Sequence, residues 1–129
     1  MFEFDDKRVL LGADAHADVL AANLTRYGTM VGEPQPRIDV FKLPHHGSGA
    51  NLSSGVVSAI NCRRYLISTN GDNYDHPDDT AIARVVLGSP GAVTFYCNYD
   101  SPRTGPWVVR GPAVGATFKL PKPGKSGLR

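Results

Sequence analysis

The chain has 129 residues, 41% of them apolar and 20% charged, with a formal net charge of +2; this is the balance of one soluble globular domain. These values exclude a disordered composition and give no bulk charge to drive nucleic-acid binding, and no apolar run approaches the roughly 18 residues of a membrane span. The N-terminus, Met-Phe-Glu-Phe-Asp-Asp, lacks the basic start and apolar centre of a signal peptide, and Cys62 and Cys97 form no C-x-x-C pair, so a cytoplasmic protein with reduced, buried cysteines is expected.

Residues 8–12 read as a short strand that leaves into Ala13-Asp14-Ala15-His16. A helix is predicted over 17–27, where Val19, Leu20, Leu24 and Tyr27 keep helical spacing; Asp18 suits its positive end and Gly28 ends it. After a loop containing Pro34 and Pro36, residues 38–43 read as a buried strand. Pro44, with no amide proton to donate, stops the ladder, and His45-His46-Gly47-Ser48 follows. Asn51, Ser53 and Ser54 offer caps for a helix over 54–61. Residues 64–68 form a third strand, residues 69–77 are rich in turn formers, and a helix over 78–87 carries Asp78 and Asp79 at its positive end.

This alternation predicts an α/β layer with parallel pairing. Residues 92–97, 107–109 and 115–120 then read as antiparallel strands closing the edge of the sheet. One domain over 1–120 is expected, followed by a basic, flexible, Pro/Gly-rich tail over 121–129. Gly124-Lys125-Ser126 is not a phosphate-binding loop, because Lys119 stands where its upstream glycine belongs.

The first three strands all exit into metal-binding side chains. The first leads to Asp14 and His16, the second to His45 and His46, the third to Asp72, Asp75 and His76. In a parallel sheet these exits share one edge, where ligands collect. Imidazole with carboxylate is a ligand set for zinc, and also for manganese or iron. Each residue also has a plainer role: Asp14 as an acceptor at the helix start, His16 as a cap, Asp75, Asp78 and His76 as turn or capping residues. Two adjacent imidazoles are costly to bury without partners, so one of the pair is expected to ligate while the other packs or hydrogen-bonds. Ser48 has no Gly-x-Ser-x-Gly elbow around it and is expected to support rather than attack.

The ordered strings Leu-Leu-Gly-Ala-Asp14-Ala-His16, Asp-Val-Phe-Lys-Leu-Pro-His45-His46-Gly-Ser48 and Tyr-Leu-Ile-Ser-Thr-Asn-Gly-Asp-Asn-Tyr-Asp-His76-Pro resemble the metallo-β-lactamase superfamily. More narrowly, they resemble the branch that includes the hydrolase domain of ComEC-like competence proteins. The resemblance runs from about residue 8 to 87. It implies half of an αββα sandwich, with a mixed sheet and helices on one face. It assigns metal ligation to Asp14, His45, His46 and His76 and catalysis to Asp14, His46 and His76, with His16 and Ser48 in support; which ring of the pair meets the metal stays open. The chain reads Gly-Ala-Asp where many members read Thr-Gly-Asp. The family's main metal string, His-x-His-x-Asp-His, occurs nowhere in the 129 residues. The chain therefore resembles the C-terminal half alone, with zinc held at partial occupancy.

Two functions from different classes follow as expectations. One is part of a hydrolase in which metal-bound hydroxide attacks an ester or phosphodiester, incomplete without an N-terminal half. The other is a non-catalytic interaction module, or a truncated fragment, pairing with that half or with a second copy. Small molecules or phosphodiesters would be substrates, and Lys119, Lys122, Lys125 and Arg129 offer a weak basic contact for nucleic acid.

Overall fold

The computed structural model describes residues 1–127. The strands in chain order are β1 (Phe2–Phe4), β2 (Lys7–Leu11), β3 (Arg37–Ile38), β4 (Val40–Lys42), β5 (Asn61–Cys62), β6 (Arg64–Ile67), β7 (Val93–Cys97) and β8 (Ala116–Lys119). Six of them form one mixed sheet in the order β1-β2-β4-β6-β7-β8, while β3 and β5 pair beside it. Within the large sheet only β1 and β2 are antiparallel; every later neighbour is parallel. Helices α1 (Ala17–Val31), α2 (Ser54–Ser58), α3 (Asp79–Gly88) and α4 (Pro106–Arg110) fall in the connections between the parallel strands.

From β2 onward the strand order never reverses. Right-handed crossovers that step in one direction put every connecting helix on the same face. Burial agrees. Leu10, Phe41, Tyr65, Phe95 and Phe118 are register partners from strand to strand, and all are buried. They share one core with Leu24 of α1, Val56 and Val57 of α2, and Ile82 and Val85 of α3. The aromatic members touch in sequence, with ring centroids 6.1 Å apart for Phe41–Tyr65, 5.7 Å for Tyr65–Phe95 and 4.6 Å for Phe95–Phe118. Each fully buried ring contributes ~2–3 kcal/mol by area alone, so this row is a principal source of stability. The intervening strand residues, such as Lys42, Leu66 and Tyr96, face the other way and are only half-buried.

Several boundaries differ from the sequence reading. Helix α1 runs past Gly28 to Val31, because Gly28 is buried against the returning chain and Gly32 supplies the left-handed cap at φ 72°. The strand expected over 38–43 is split at Asp39, and α2 is one turn shorter than predicted. The antiparallel closing strands are a correction. Residues 107–109 belong to α4, started by Pro106 in its first turn, and Trp107 stacks on Phe118 at 5.7 Å. That helix carries the chain back across the sheet, so β8 returns parallel to β7.

Both cysteines are buried and unpaired, and burial pushes the Cys62 thiol up to about 11 and the Cys97 thiol up to about 12. Residues 121–127 turn back toward β7, with the Gly127 amide donating to the Asn98 carbonyl at 2.8 Å; Arg129, counted with the basic tail, lies outside the described residues. Among the described residues no helix is long and apolar enough to cross a membrane.

Candidate functional site

The carboxyl ends of β4, β6 and β7 open into a cleft of about 390 Å3 lined by His45, His46, Ser68, Asn70, Asn73, Tyr74, His76, Asn98 and Tyr99, among others. The three imidazoles are neighbours: ring centroids lie 6.2 Å apart for His45–His46 and 5.7 Å apart for His45–His76, and Tyr74 stacks on His76 at 6.2 Å. Both rings of the pair line the cleft.

The backbone that presents them is unusual. Pro44 opens a short 3-10 turn, and His45 (φ 42°, ψ 51°) and His46 (φ 59°, ψ 17°) then both take left-handed conformations. A non-glycine residue there costs ~1–2 kcal/mol. Ala13 and Asp75, on the two flanking exits, also have positive φ. Strain held at one corner by the surrounding fold is characteristic of functional sites. What holds it is a set of close fits. Gly12 leaves no room for a side chain, since a Cβ there would stand 2.6 Å from the Pro44 nitrogen. Across the corner, the His45 amide donates to the Ala13 carbonyl at 2.7 Å. The Asp78 carboxylate accepts from the Gly49 amide at 2.7 Å, and the Asp78 amide donates to the Gly47 carbonyl at 3.0 Å. Arg84 of α3 donates to the Leu52 carbonyl at 2.8 Å, fixing the rest of the loop.

Each imidazole is oriented through the same nitrogen. His45 Nδ1 lies 3.1 Å from Asn51 Oδ1, His46 Nδ1 is 2.5 Å from the Ser68 carbonyl, and His76 Nδ1 is 3.1 Å from Asp78 Oδ1. All three partners are acceptors: a backbone carbonyl, a carboxylate, and an amide oxygen whose own NH2 donates to the Ala15 carbonyl at 3.0 Å. Nδ1 therefore carries a proton in each ring, and in the neutral imidazole this leaves the Nε2 lone pair as the donor atom. An Nδ1–H held by carbonyl or carboxylate is the support that metal-binding histidines have in most sites. Burial raises the Asp78 carboxyl, but the Gly49 amide and His76, followed by Arg103, outweigh it and hold the group below the usual carboxylate range, so it is available as an acceptor.

The other sequence-derived candidates stand apart from this cleft. Asp14 is exposed on the turn beside Ala13, and His16 is exposed at the start of α1 without capping it through its side chain. Neither lines the cleft, and no carboxylate does. Ser48 is buried, its hydroxyl accepting from the Ala50 amide at 3.3 Å, which is a local brace. Asp72 and Asp75 are exposed, and Asp72 accepts from the Asn70 amide group. Among the described residues, no three of His, Cys, Asp and Glu stand close enough together to hold an ion. Imidazole nitrogens are donors of the kind that suits a borderline metal such as zinc. A cleft of similar size beside the β1–β2 turn does not compete, because its Arg8 is paired with Glu33 and its Arg37 with Asp39.

Two supporting residues were missed in the sequence. Asn51 read as a helix cap, although Ser53 is the cap, with its hydroxyl accepting from the Val56 amide at 3.3 Å. Asp78 also read as a cap, yet its side chain caps nothing in α3 and serves His76 and Gly49 instead. The only local signal was His76-Pro77-Asp78, an acceptor two residues from an imidazole. Comparison with protein-family models, curated proteins and solved structures returned no match.

Proposed function

We propose that this chain is the C-terminal part of a metal-dependent hydrolase of metallo-β-lactamase type, contributing imidazoles to a zinc site that another segment completes. The observation that carries the reading is the shared state of His45, His46 and His76: neighbouring rings, each held through Nδ1, with no hydrogen bond to Nε2 among the described residues. Asp14, exposed on the turn tied to His45 through Ala13 and outside the cleft lining, is the carboxylate that the resemblance assigns to this site. The remaining donors belong to a His-x-His-x-Asp-His string elsewhere in this or another polypeptide. Zinc, or manganese or iron in its place, supplies Lewis acidity and a nucleophile at neutral pH when bound.

The chain's own residues hold and orient. His45, His46 and His76 grip, while Asn51, the Ser68 carbonyl and Asp78 keep their lone pairs aimed. Asn70, Asn73 and Asn98 line the cleft as neutral hydrogen-bonding groups. These groups and the lining hydroxyls suit a strongly polar substrate, which fits a phosphodiester or ester.

A second reading, a non-catalytic interaction module, is favoured by the absence of a closed ligand set among the described residues. Equilibrium dialysis with zinc separates the two. The hydrolase reading expects weak zinc uptake by the wild type, through an incomplete ligand set, that falls about tenfold or more in His76→Ala, about tenfold in Asn51→Ala, and is unchanged in His16→Ala. Zinc uptake that is absent, or unchanged in His76→Ala, contradicts it and leaves the interaction module.

A further inference from the structure

The amino ends of β3, β5 and β6 lie at the opposite end of the strands from the imidazole cleft, and they frame another cleft of about 280 Å3. Its lining is Arg37, Ile38, Asp39, Asn61, Arg63 and Arg64, so three guanidinium groups share it with one carboxylate. That carboxylate is already engaged. Asp39 is buried, and it accepts from the Arg8 amide at 3.0 Å and from the Arg37 guanidinium. Arg63 is anchored by donating to the Pro90 carbonyl at 3.2 Å, a neutral partner that leaves its charge uncompensated. Arg63 and Arg64 are both exposed, and neither forms an ion pair among the described residues. The cleft therefore carries two uncompensated positive charges beside a third that Asp39 neutralises.

We infer that this cleft binds a compact phosphate-bearing anion of the pyrophosphate type, gripped by Arg63 and Arg64. The guanidinium fork presents paired N–H donors that match two oxygens of one phosphate, and its charge persists at any ordinary pH. Gathering arginines in one concavity costs mutual repulsion, which a doubly charged anion relieves. Asn61 adds an amide to the same wall. The surroundings select for small size. The neighbouring cleft, beside the β1–β2 turn, shares Arg37 and Asp39 and continues into Glu3, Asp5, Asp6 and Glu33. A polynucleotide laid across both would meet those carboxylates, whereas a compact anion stays among the arginines. The inference does not rest on the hydrolase reading, and its test involves no metal.

Isothermal titration calorimetry with inorganic pyrophosphate, in chelator-treated buffer, tests it. The wild type is expected to bind saturably at about 50 mM salt and about tenfold or more weakly at about 500 mM. Arg64→Ala should lose about tenfold in affinity and Arg63→Ala/Arg64→Ala about a hundredfold, each charge-assisted contact being worth about one such factor. Arg64→Lys keeps the charge without the fork and should fall severalfold. The control Arg26→Ala/Arg110→Ala removes two exposed arginines elsewhere and should bind as the wild type does, as should His76→Ala in the imidazole cleft. Adenosine diphosphate identifies the source: weaker binding than pyrophosphate assigns a free inorganic anion, and tighter binding assigns a phosphate carried on an organic group. If circular dichroism shows the double variant unfolded, Arg64→Ala and Arg64→Lys carry the comparison. Absence of saturable binding, an equal loss in the Arg26/Arg110 control, or a short single-stranded oligonucleotide that binds more tightly than pyrophosphate overturns the inference.

Discussion

Replacing His46 by glycine and, separately, by alanine isolates the backbone cost of presenting the paired imidazoles. Both changes remove the ring and its bond to the Ser68 carbonyl, a loss of about 1 kcal/mol. They differ in the backbone. At φ 59° and ψ 17°, alanine keeps a left-handed conformation that costs ~1–2 kcal/mol, whereas glycine relieves it and returns ~0.5–1 kcal/mol through the greater freedom of its unfolded state. His46→Gly is therefore expected to be about 1 kcal/mol more stable than His46→Ala. In urea, with a slope of about 1.5 kcal/mol per molar, the midpoints should separate by roughly 0.7 M. Zinc affinity should fall equally in the two, since the imidazole is gone from both. An alanine variant as stable as the glycine variant would show that the loop carries no such strain, and the argument that the fold sustains it for a site would fail.

Asp39 gives a pH signature. The Arg8 amide holds its buried carboxyl below the usual carboxylate range against the opposing effect of burial, helped by the Arg37 guanidinium. A depressed native value means that its stabilisation is complete above about pH 5 and is lost as pH falls below about 4, because the unfolded chain takes up the proton first. Asp39→Asn should thus cost ~1–2 kcal/mol at neutral pH and progressively less in acid, read from urea unfolding across the range; a constant cost would contradict the assignment. Tyr65→Phe leaves the aromatic row in place but removes a hydroxyl that donates to the Cys62 carbonyl at 3.1 Å and meets Ser89 Oγ at 2.8 Å, so a loss of ~1–2 kcal/mol is expected from the unfolding midpoint. Gly12→Ala forces a methyl against the Pro44 backbone and should cost ~1–3 kcal/mol while shifting the His45 ring resonances; an unperturbed His45 would refute the coupling between those two exits.

The parallel strands were legible because each is a short apolar run with its own punctuation, and parallel pairing then gathers their exits without further information. His45, His46 and His76 meet for that reason, although 30 residues separate the last two. Strand β1 was overlooked, yet Phe-Glu-Phe followed by Asp5-Asp6 is a short alternating run with a two-residue turn, and both aspartates take positive φ as a hairpin loop of that kind requires. The direction of β8 was misread because Val108-Val109 looks like strand, and only the stacking of Trp107 on Phe118 shows that this stretch is a crossover helix. The roles of Asn51 and Asp78 lay beyond local pattern altogether. Their partners depend on which loops the sheet brings together, so a residue-by-residue reading finds capping residues where the fold uses tautomer locks.

The tautomeric state of the imidazoles tests the account most directly, because everything proposed for the site depends on three free Nε2 atoms. Long-range proton–nitrogen NMR spectra of uniformly labelled, metal-free protein at about pH 8, where ordinary imidazoles are neutral, report which ring nitrogen carries the proton. The account predicts Nδ1–H for His45, His46 and His76. On adding zinc, their Nε2 signals should shift together while that of His16 stays in place. An Nε2–H tautomer at any of the three, or a zinc response confined to His16, would contradict it.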